Sequence, residues 1–158
     1  MRLTIVRHAF AGHKGDWKGR DLDRPLDARG RRDAVGLSAV IARQRVARIV
    51  SSPAARCTQT MQPLADLVAV PVETWAALGP DGAASEIITG CFAHPAFDDA
   101  VLCTHGEVMQ TLLQLEAVRV AARQRRLTRD TLLTKGTAWR LHLDNQGQVT
   151  KLVHLTPR

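Results

Sequence analysis

The sequence predicts an α/β protein, a three-layer α/β/α sandwich on a mainly parallel sheet with an antiparallel edge strand. Three observations predict it. Short apolar segments alternate with segments of helical period along most of the chain. One segment, Asp99 to Thr104 (DAVLCT), is apolar through its middle, as a strand covered on both faces must be. Two late strand-like segments, Thr137 to Leu143 and Gln148 to Leu155, flank Asp144-Asn145-Gln146-Gly147 at the spacing of a hairpin.

Taken in order, Leu3 to Val6 is a short apolar strand that runs straight into Arg7-His8. Residues 10–26 are polar, carry Gly12, Gly15, Gly19 and Pro25, and form an irregular loop whose length itself points to function. A helix begins near Ala28 and reaches about Gln44, with Ala34, Leu37, Val40 and Ile41 in phase. Val46 to Val50 is a second strand, stopped by Ser51-Ser52-Pro53. Cys57, Met61, Leu64, Ala65 and Val68 then mark one face of a second helix. Pro71 to Trp75 suggests a third strand and Ala83 to about Phe92 a further helix. His105-Gly106 ends the buried strand, and a helix from about Glu107 to Glu116 follows. The basic stretch Arg119 to Arg129 is expected to be helical in part, with a solvated face or a docking surface as its two readings. No repeat, low-complexity tract or linker divides the chain, so residues 1–158 are expected to form a single domain.

With 158 residues, 45% hydrophobic and 23% charged, the composition is that of an ordinary soluble domain. No apolar run approaches the roughly 20 residues of a membrane span. Arg7 and His8 interrupt any signal-peptide core, so a cytoplasmic location is expected. Cys57, Cys91 and Cys103 lack metal-ligand spacing; Cys57 and Cys103 read as small core side chains, and neither metal nor cofactor is expected. The net charge of +7, carried mostly by arginine, favours anionic partners: phosphate esters, phosphoproteins or nucleic acid.

Three strand ends carry unusual residues: Arg7-His8, then SSPAAR with Ser51, Ser52 and Arg56, then His105-Gly106. In a parallel sheet such ends lie along one edge, so Arg7, His8, Arg56 and His105 can meet in one crevice, beside the opening turns of two helices. A guanidinium grips phosphate oxygens in a fork and stays charged. A neutral imidazole near its unperturbed pKa of about 6.5 can attack phosphorus, and water can hydrolyse the resulting phosphohistidine. Cations aimed at the equatorial oxygens then stabilise the transition state.

The same residues carry a family resemblance. VRHA at Val6 to Ala9, RPLDARG at Arg24 to Gly30, SSPAARCTQT at Ser51 to Thr60 and CTHGEV at Cys103 to Val108 resemble, in order, the motifs of the histidine phosphatase superfamily, which includes the phosphoglycerate mutases. The compact size and the LGPDGAASEI stretch resemble the SixA-type phosphohistidine phosphatases. RPLD-RG and KGTAW also resemble the phosphatase domain that follows a Nudix domain in some proteins; here the chain starts at the phosphatase strand, and no Nudix partner is expected. The resemblance implies His8 as phosphorylated nucleophile, Arg7 and Arg56 as phosphate-binding arginines, and His105 with Gly106 as contacts to the phosphoryl group. Ala9 stands where many members have glycine.

Many relatives also place a carboxylate between the second and third blocks as general acid. The candidates here are Asp81 and Glu86, with Glu107 beside the pocket motif as an outsider. None sits in a recognisable acid motif, which favours phosphohistidine or already activated phosphates as substrates. From the long loop, Arg24 is a candidate for loop ordering or phosphate contact, and Lys14, Lys18 and Arg20 for contacts to an anionic substrate; Lys135 is a further candidate for the pocket. Ser51 and Ser52 are read as turn or cap residues, and His13, His94, His142 and His154 as structural or exposed. The expected function is a metal-independent phosphatase acting on a phosphohistidine protein or a small phosphate compound. The alternative is a phosphoprotein- or nucleic-acid-binding module without turnover, against which the intact nucleophile argues; nucleic acid and membrane are not expected partners.

Overall fold

The computed structural model describes residues 1–80 and 83–158. Six strands form one sheet: β1 (Arg2–Arg7), β2 (Arg48–Ser51), β3 (Val72–Thr74), β4 (Ala100–Thr104), β5 (Ala138–Leu143) and β6 (Val149–Leu155), in the spatial order β3-β2-β4-β1-β5-β6. The β1–β4, β4–β2 and β2–β3 pairs are parallel. The last two strands form an antiparallel hairpin, so the antiparallel part of the sheet is two strands wide rather than one.

Alternation along each strand builds the two faces. Leu3, Ile5, Val50, Leu102 and Trp139 point to one side. There they meet α3 (Ala84–Gly90), α4 (Gly106–Leu112) and α5 (Glu116–Gln124). Val6, Ile49, Val101, Cys103 and Ala138 point to the other side, against α1 (Ala28–Ile41) and α2 (Ala55–Val68). β4 is fully buried because it has a layer on each face, as its continuous apolar sequence requires. Helical period places Cys57, Met61, Leu64 and Ala65 of α2 in this second core. The basic stretch expected near residues 119–129 divides between α5 and a single turn, α6 (Arg129–Leu132). No helix among the described residues is long and apolar enough to cross a membrane.

The long loop after β1 carries two short 3₁₀ turns, Lys14–Asp16 and Asp21–Asp23. It is tied down at its far end by Asp27, which caps α1: one carboxylate oxygen accepts the Gly30 N–H at 2.7 Å and the other the Gly12 N–H at 3.1 Å. Gly30 is glycine for a steric reason, since a Cβ there would overlap the Phe10 carbonyl. Leu26 is held by its N–H donating to Gln59 of α2 at 2.8 Å. The loop is therefore an ordered wall rather than a tether.

The Gly30 hydrogen bond holds the Asp27 carboxyl below the usual carboxylate range. Asp27→Ala should cost about 1 kcal/mol in urea denaturation near neutral pH. Because the folded-state pKa is depressed, this contribution is present above about pH 4, the unfolded value, and is lost as pH falls through the folded value. Wild-type and variant stabilities should therefore converge in acid.

Candidate active site

The C-terminal ends of β1, β4 and β2 are adjacent in the sheet, and they deliver the four predicted residues to one place. His8 follows β1, where its N–H donates to Thr104 of β4 at 3.2 Å. Arg56 lies in the first turn of α2, after the Ser51-Ser52 exit from β2. His105 follows β4 and precedes α4. Arg56 is the joint. Its Nε lies 3.3 Å from Nε2 of His8 and its Nη2 3.3 Å from Nδ1 of His105. The two imidazoles meet edge to face, with ring centroids 5.3 Å apart.

These contacts assign the proton positions on both rings. The Ala9 carbonyl can only accept, so Nδ1 of His8 donates to it, at 2.8 Å. Nε2 of His8 is then the unprotonated nitrogen, and the Arg56 N–H points at its lone pair. For His105, Arg56 can only donate, so Nδ1 accepts and Nε2–H donates to the Ser52 hydroxyl at 2.8 Å. His8 is buried, and burial, reinforced by the nearby charges of Arg56 and Arg7, pushes its pKa down to about 3 against the opposing pull of the Ala9 carbonyl. The ring is therefore neutral at physiological pH.

Arg7 reaches the site from β1. Its Nη1 donates to the Leu133 carbonyl, while its buried Nε has no partner among the described residues. Gly106 makes room for this guanidinium: a Cβ at residue 106 would sit 2.6–2.8 Å from Arg7 Nη2, Cζ and Nε. Burial pushes the Arg7 pKa down and Glu107 offsets it. Above these groups is a cavity of about 400 Å³. Arg7, His8 and Arg56 line it, with Lys14, Asp21 and Arg24 from the loop and Glu107 and Lys135 from the opposite wall. A larger hollow of about 550 Å³ between α1 and α2, beside Val35, Gln59 and Pro63, is reached by none of the four predicted residues.

The remaining candidates fall in different places. Arg24 bonds Asp21 at 2.9 Å and the Ala11 and Gly12 carbonyls at 2.9 and 3.3 Å, so it orders the loop as well as lining the cavity. Lys18 is exposed and is not among the residues lining the cavity. Glu86 is exposed on α3 and is not among them either. Asp81 lies outside the described residues. Glu107, the outsider, lines the cavity.

Sequence reasoning missed three supports. Asp21 pairs with Arg56 at 3.1 Å and accepts its Nη1–H at the backbone carbonyl, at 2.7 Å. Burial raises the Asp21 pKa, but the Arg24 hydrogen bond and the Arg56 and Arg24 charges outweigh it and hold the carboxyl below its usual range. Ser52 fixes the His105 ring rather than simply ending a strand. The Thr60 hydroxyl accepts the Ala9 N–H at 3.0 Å and donates to the Arg56 carbonyl at 2.6 Å, locking the β1 exit to α2. The available signals were weak: the i, i+3 spacing of Asp21 and Arg24, and the presence of Ser52 and Thr60 within the SSPAARCTQT block.

Known proteins are similar to this chain in sequence and in fold. The model of the histidine phosphatase superfamily (branch 1) matches residues 3–79. The 8-oxo-(d)GTP phosphatase of Mycolicibacterium smegmatis is 31% identical over 161 residues, covering 98% of this chain and 48% of that protein. The chain thus spans about half the length of that curated relative. Among solved structures, the protein histidine phosphatase SixA complexed with tungstate superposes with a TM-score of 0.74 at 19% identity, covering 99% of this chain and 97% of that one. A mycobacterial glucosyl-3-phosphoglycerate phosphatase superposes with a TM-score of 0.61 at 16% identity, covering 97% and 96%. At these identities the two structural likenesses are likenesses of fold.

Two measurements check the geometry. In ¹⁵N–¹H correlation spectra, His8 should keep an unprotonated Nε2 from neutral pH down to about pH 3; a titration midpoint near 6.5 would contradict the buried ring. Gly106→Ala should drive the Arg7 guanidinium from its seat and weaken orthovanadate binding by about tenfold or more, with the fold retained by circular dichroism.

Proposed function

The chain belongs to the histidine phosphatase superfamily, and from that premise we propose that it is a metal-independent phosphatase that works through a covalent phosphohistidine on His8. The observation that carries this reading is the state of His8: a buried, neutral ring whose Nδ1–H is occupied by the Ala9 carbonyl and whose Nε2 lone pair lies beside Arg56. A nitrogen in that state is a nucleophile without needing a base to deprotonate it.

In the first step the Nε2 lone pair forms a bond to phosphorus, and the bond from phosphorus to the leaving oxygen breaks with its electron pair staying on that oxygen. Arg7 and Arg56 face the transferring oxygens, and their fixed charges stabilise the spread negative charge of the transition state. His105, held by Ser52, accepts from Arg56 at Nδ1 and so braces that guanidinium from behind the cavity lining. In the second step water attacks phosphorus, the N–P electron pair returns to Nε2, and inorganic phosphate leaves with release of a proton. For an alkoxide leaving group, that proton balances the one taken up in the first step.

The proton donor for the first step is the weak element. Among the described residues, Asp21 is held ionised by its two arginines, Glu86 is exposed and not among the residues lining the cavity, and Glu107, which does line it beside Arg7, sits in no recognisable acid motif. This supports substrates whose leaving group needs little protonation: a phosphohistidine protein, or a small compound carrying an activated phosphoryl group.

His8→Ala should lower phosphatase turnover by more than about a thousandfold while leaving the thermal unfolding transition in place. Excess EDTA should leave the wild-type rate unchanged. A phosphoryl label trapped by alkaline quench should map to His8 by mass spectrometry. Normal turnover in the variant would overturn the mechanism.

A further inference from the structure

We propose that the substrate carries a second phosphate next to the scissile one, that Lys135 and Lys14 bind it, and that the preferred substrate class is therefore an organic diphosphate. This rests on the phosphatase reading above and specifies its substrate.

The first argument is charge balance. Among the described residues the cavity is lined by five cationic side chains, those of Arg7, Lys14, Arg24, Arg56 and Lys135, against two carboxylates, Asp21 and Glu107. His8 adds nothing, being neutral. Among the described residues the surplus is three positive charges. A phosphate monoester brings at most two negative charges and leaves one cation unmatched. A fully ionised organic diphosphate brings three.

The second argument is which cations are unmatched. Arg24 is neutralised by Asp21, and Arg56 shares the same carboxylate. Neither Lys14 nor Lys135 has an ion pair among the described residues. Lys135 is half-buried and is disfavoured as a cation, first by burial and then by Arg7, Arg24 and Arg56. Collecting like charges around an ammonium is unfavourable unless an anion enters the space between them.

The third argument is placement. Lys135 sits in a turn that clamps the end of the nucleophile's own strand. The next residue, Gly136, at φ +70°, donates its N–H to the carbonyls of both Arg7 and His8 at 3.2 Å. Two residues earlier, the Leu133 carbonyl accepts from the Arg7 guanidinium. The turn thus holds Lys135 in a fixed register with the phosphate arginine and the nucleophile, with its Nζ 5.4 Å from the Phe10 ring centroid. Lys14 approaches from the facing loop, close enough to Asp21 to lower that carboxyl's pKa.

Such a substrate also removes the need for a proton donor. Nε2 of His8 attacks the terminal phosphorus, the bridging P–O bond breaks, and its electron pair leaves on an organic monophosphate, whose second pKa is about 6 against the far higher value of an alcohol. Water then cleaves the phosphohistidine to inorganic phosphate, and its proton goes to solvent.

The test compares kcat/KM within matched pairs: adenosine diphosphate against the monophosphate, and a simple alkyl diphosphate against the alkyl monophosphate, with a phosphohistidine peptide alongside. We expect both diphosphates to exceed their monophosphates by about tenfold or more. The Lys14→Gln/Lys135→Gln double variant should lower that ratio by a similar factor. A preference in the adenosine pair alone would assign the selectivity to the nucleoside and overturn the proposal. So would wild-type ratios near one, ratios unchanged in the variant, or a preference for the phosphohistidine peptide. Calorimetry on His8→Ala supplies an arm independent of turnover: methylenediphosphonate should bind about tenfold tighter than inorganic phosphate, and equal binding would also overturn the proposal. If no substrate is hydrolysed yet methylenediphosphonate keeps its advantage, the phosphatase reading fails and the diphosphate subsite stands.

Discussion

The guanidinium of Arg56 is a buried cation, 5% exposed at its side chain, and its partners account for much of what surrounds it. Burying a charge is costly unless it is paired and hydrogen-bonded. Here one edge of the group faces His8 and His105, and another holds the Asp21 carboxylate and backbone carbonyl. Meeting the needs of this one group brings three strand ends and a loop into contact. His8 cannot also be a cation in such a place, because it is buried and its Nε2 accepts from Arg56. The arrangement that satisfies the buried arginine therefore also keeps Nε2 of His8 unprotonated, with its lone pair accepting from Arg56.

The same economy runs through the loop. Asp21 pairs with both Arg56 and Arg24. Arg24 spends its other donors on the Ala11 and Gly12 carbonyls, and Asp27 caps a helix while holding Gly12. Thr60 joins the residue after the nucleophile to the carbonyl of Arg56. Each is a local satisfaction of a polar group, and together they fix the wall of the cavity. What they leave unsatisfied is informative as well: among the described residues, the Arg7 Nε has no partner, and Lys14 and Lys135 line the cavity without an ion pair. The proposed anionic substrate would supply the missing partners.

Much of the fold was legible in the chain itself. The period of Cys57, Met61, Leu64 and Ala65 named a helix face that the core now covers, and the unbroken apolar run of DAVLCT named a strand with a layer on each side. Helix ends were less legible. The first helix stops at Ile41 rather than near Gln44, and the segment expected as one helix from Glu107 to Glu116 breaks after Leu112 before α5 starts at Glu116. Terminal turns depend on capping and tertiary contacts that periodicity does not carry.

The sequence by itself determined which chemical groups stand at the strand ends, because an Arg-His, a Ser-Ser-Pro and a His-Gly each interrupt an apolar run at a point where a parallel sheet exposes its edge. From that, the convergence of Arg7, His8, Arg56 and His105 followed in outline. Only the tertiary structure decided the state of those groups and the company they keep. The tautomers of His8 and His105 depend on the Ala9 carbonyl, Ser52 and Arg56, and two of those three come from distant parts of the chain. The choice among lysines, with Lys14 and Lys135 on the cavity and Lys18 outside its lining, depends on where a loop and a turn fold. Residue type is a local property that the chain carries in its order. Protonation, pairing and charge surplus are properties of neighbours, which exist only once the chain has folded.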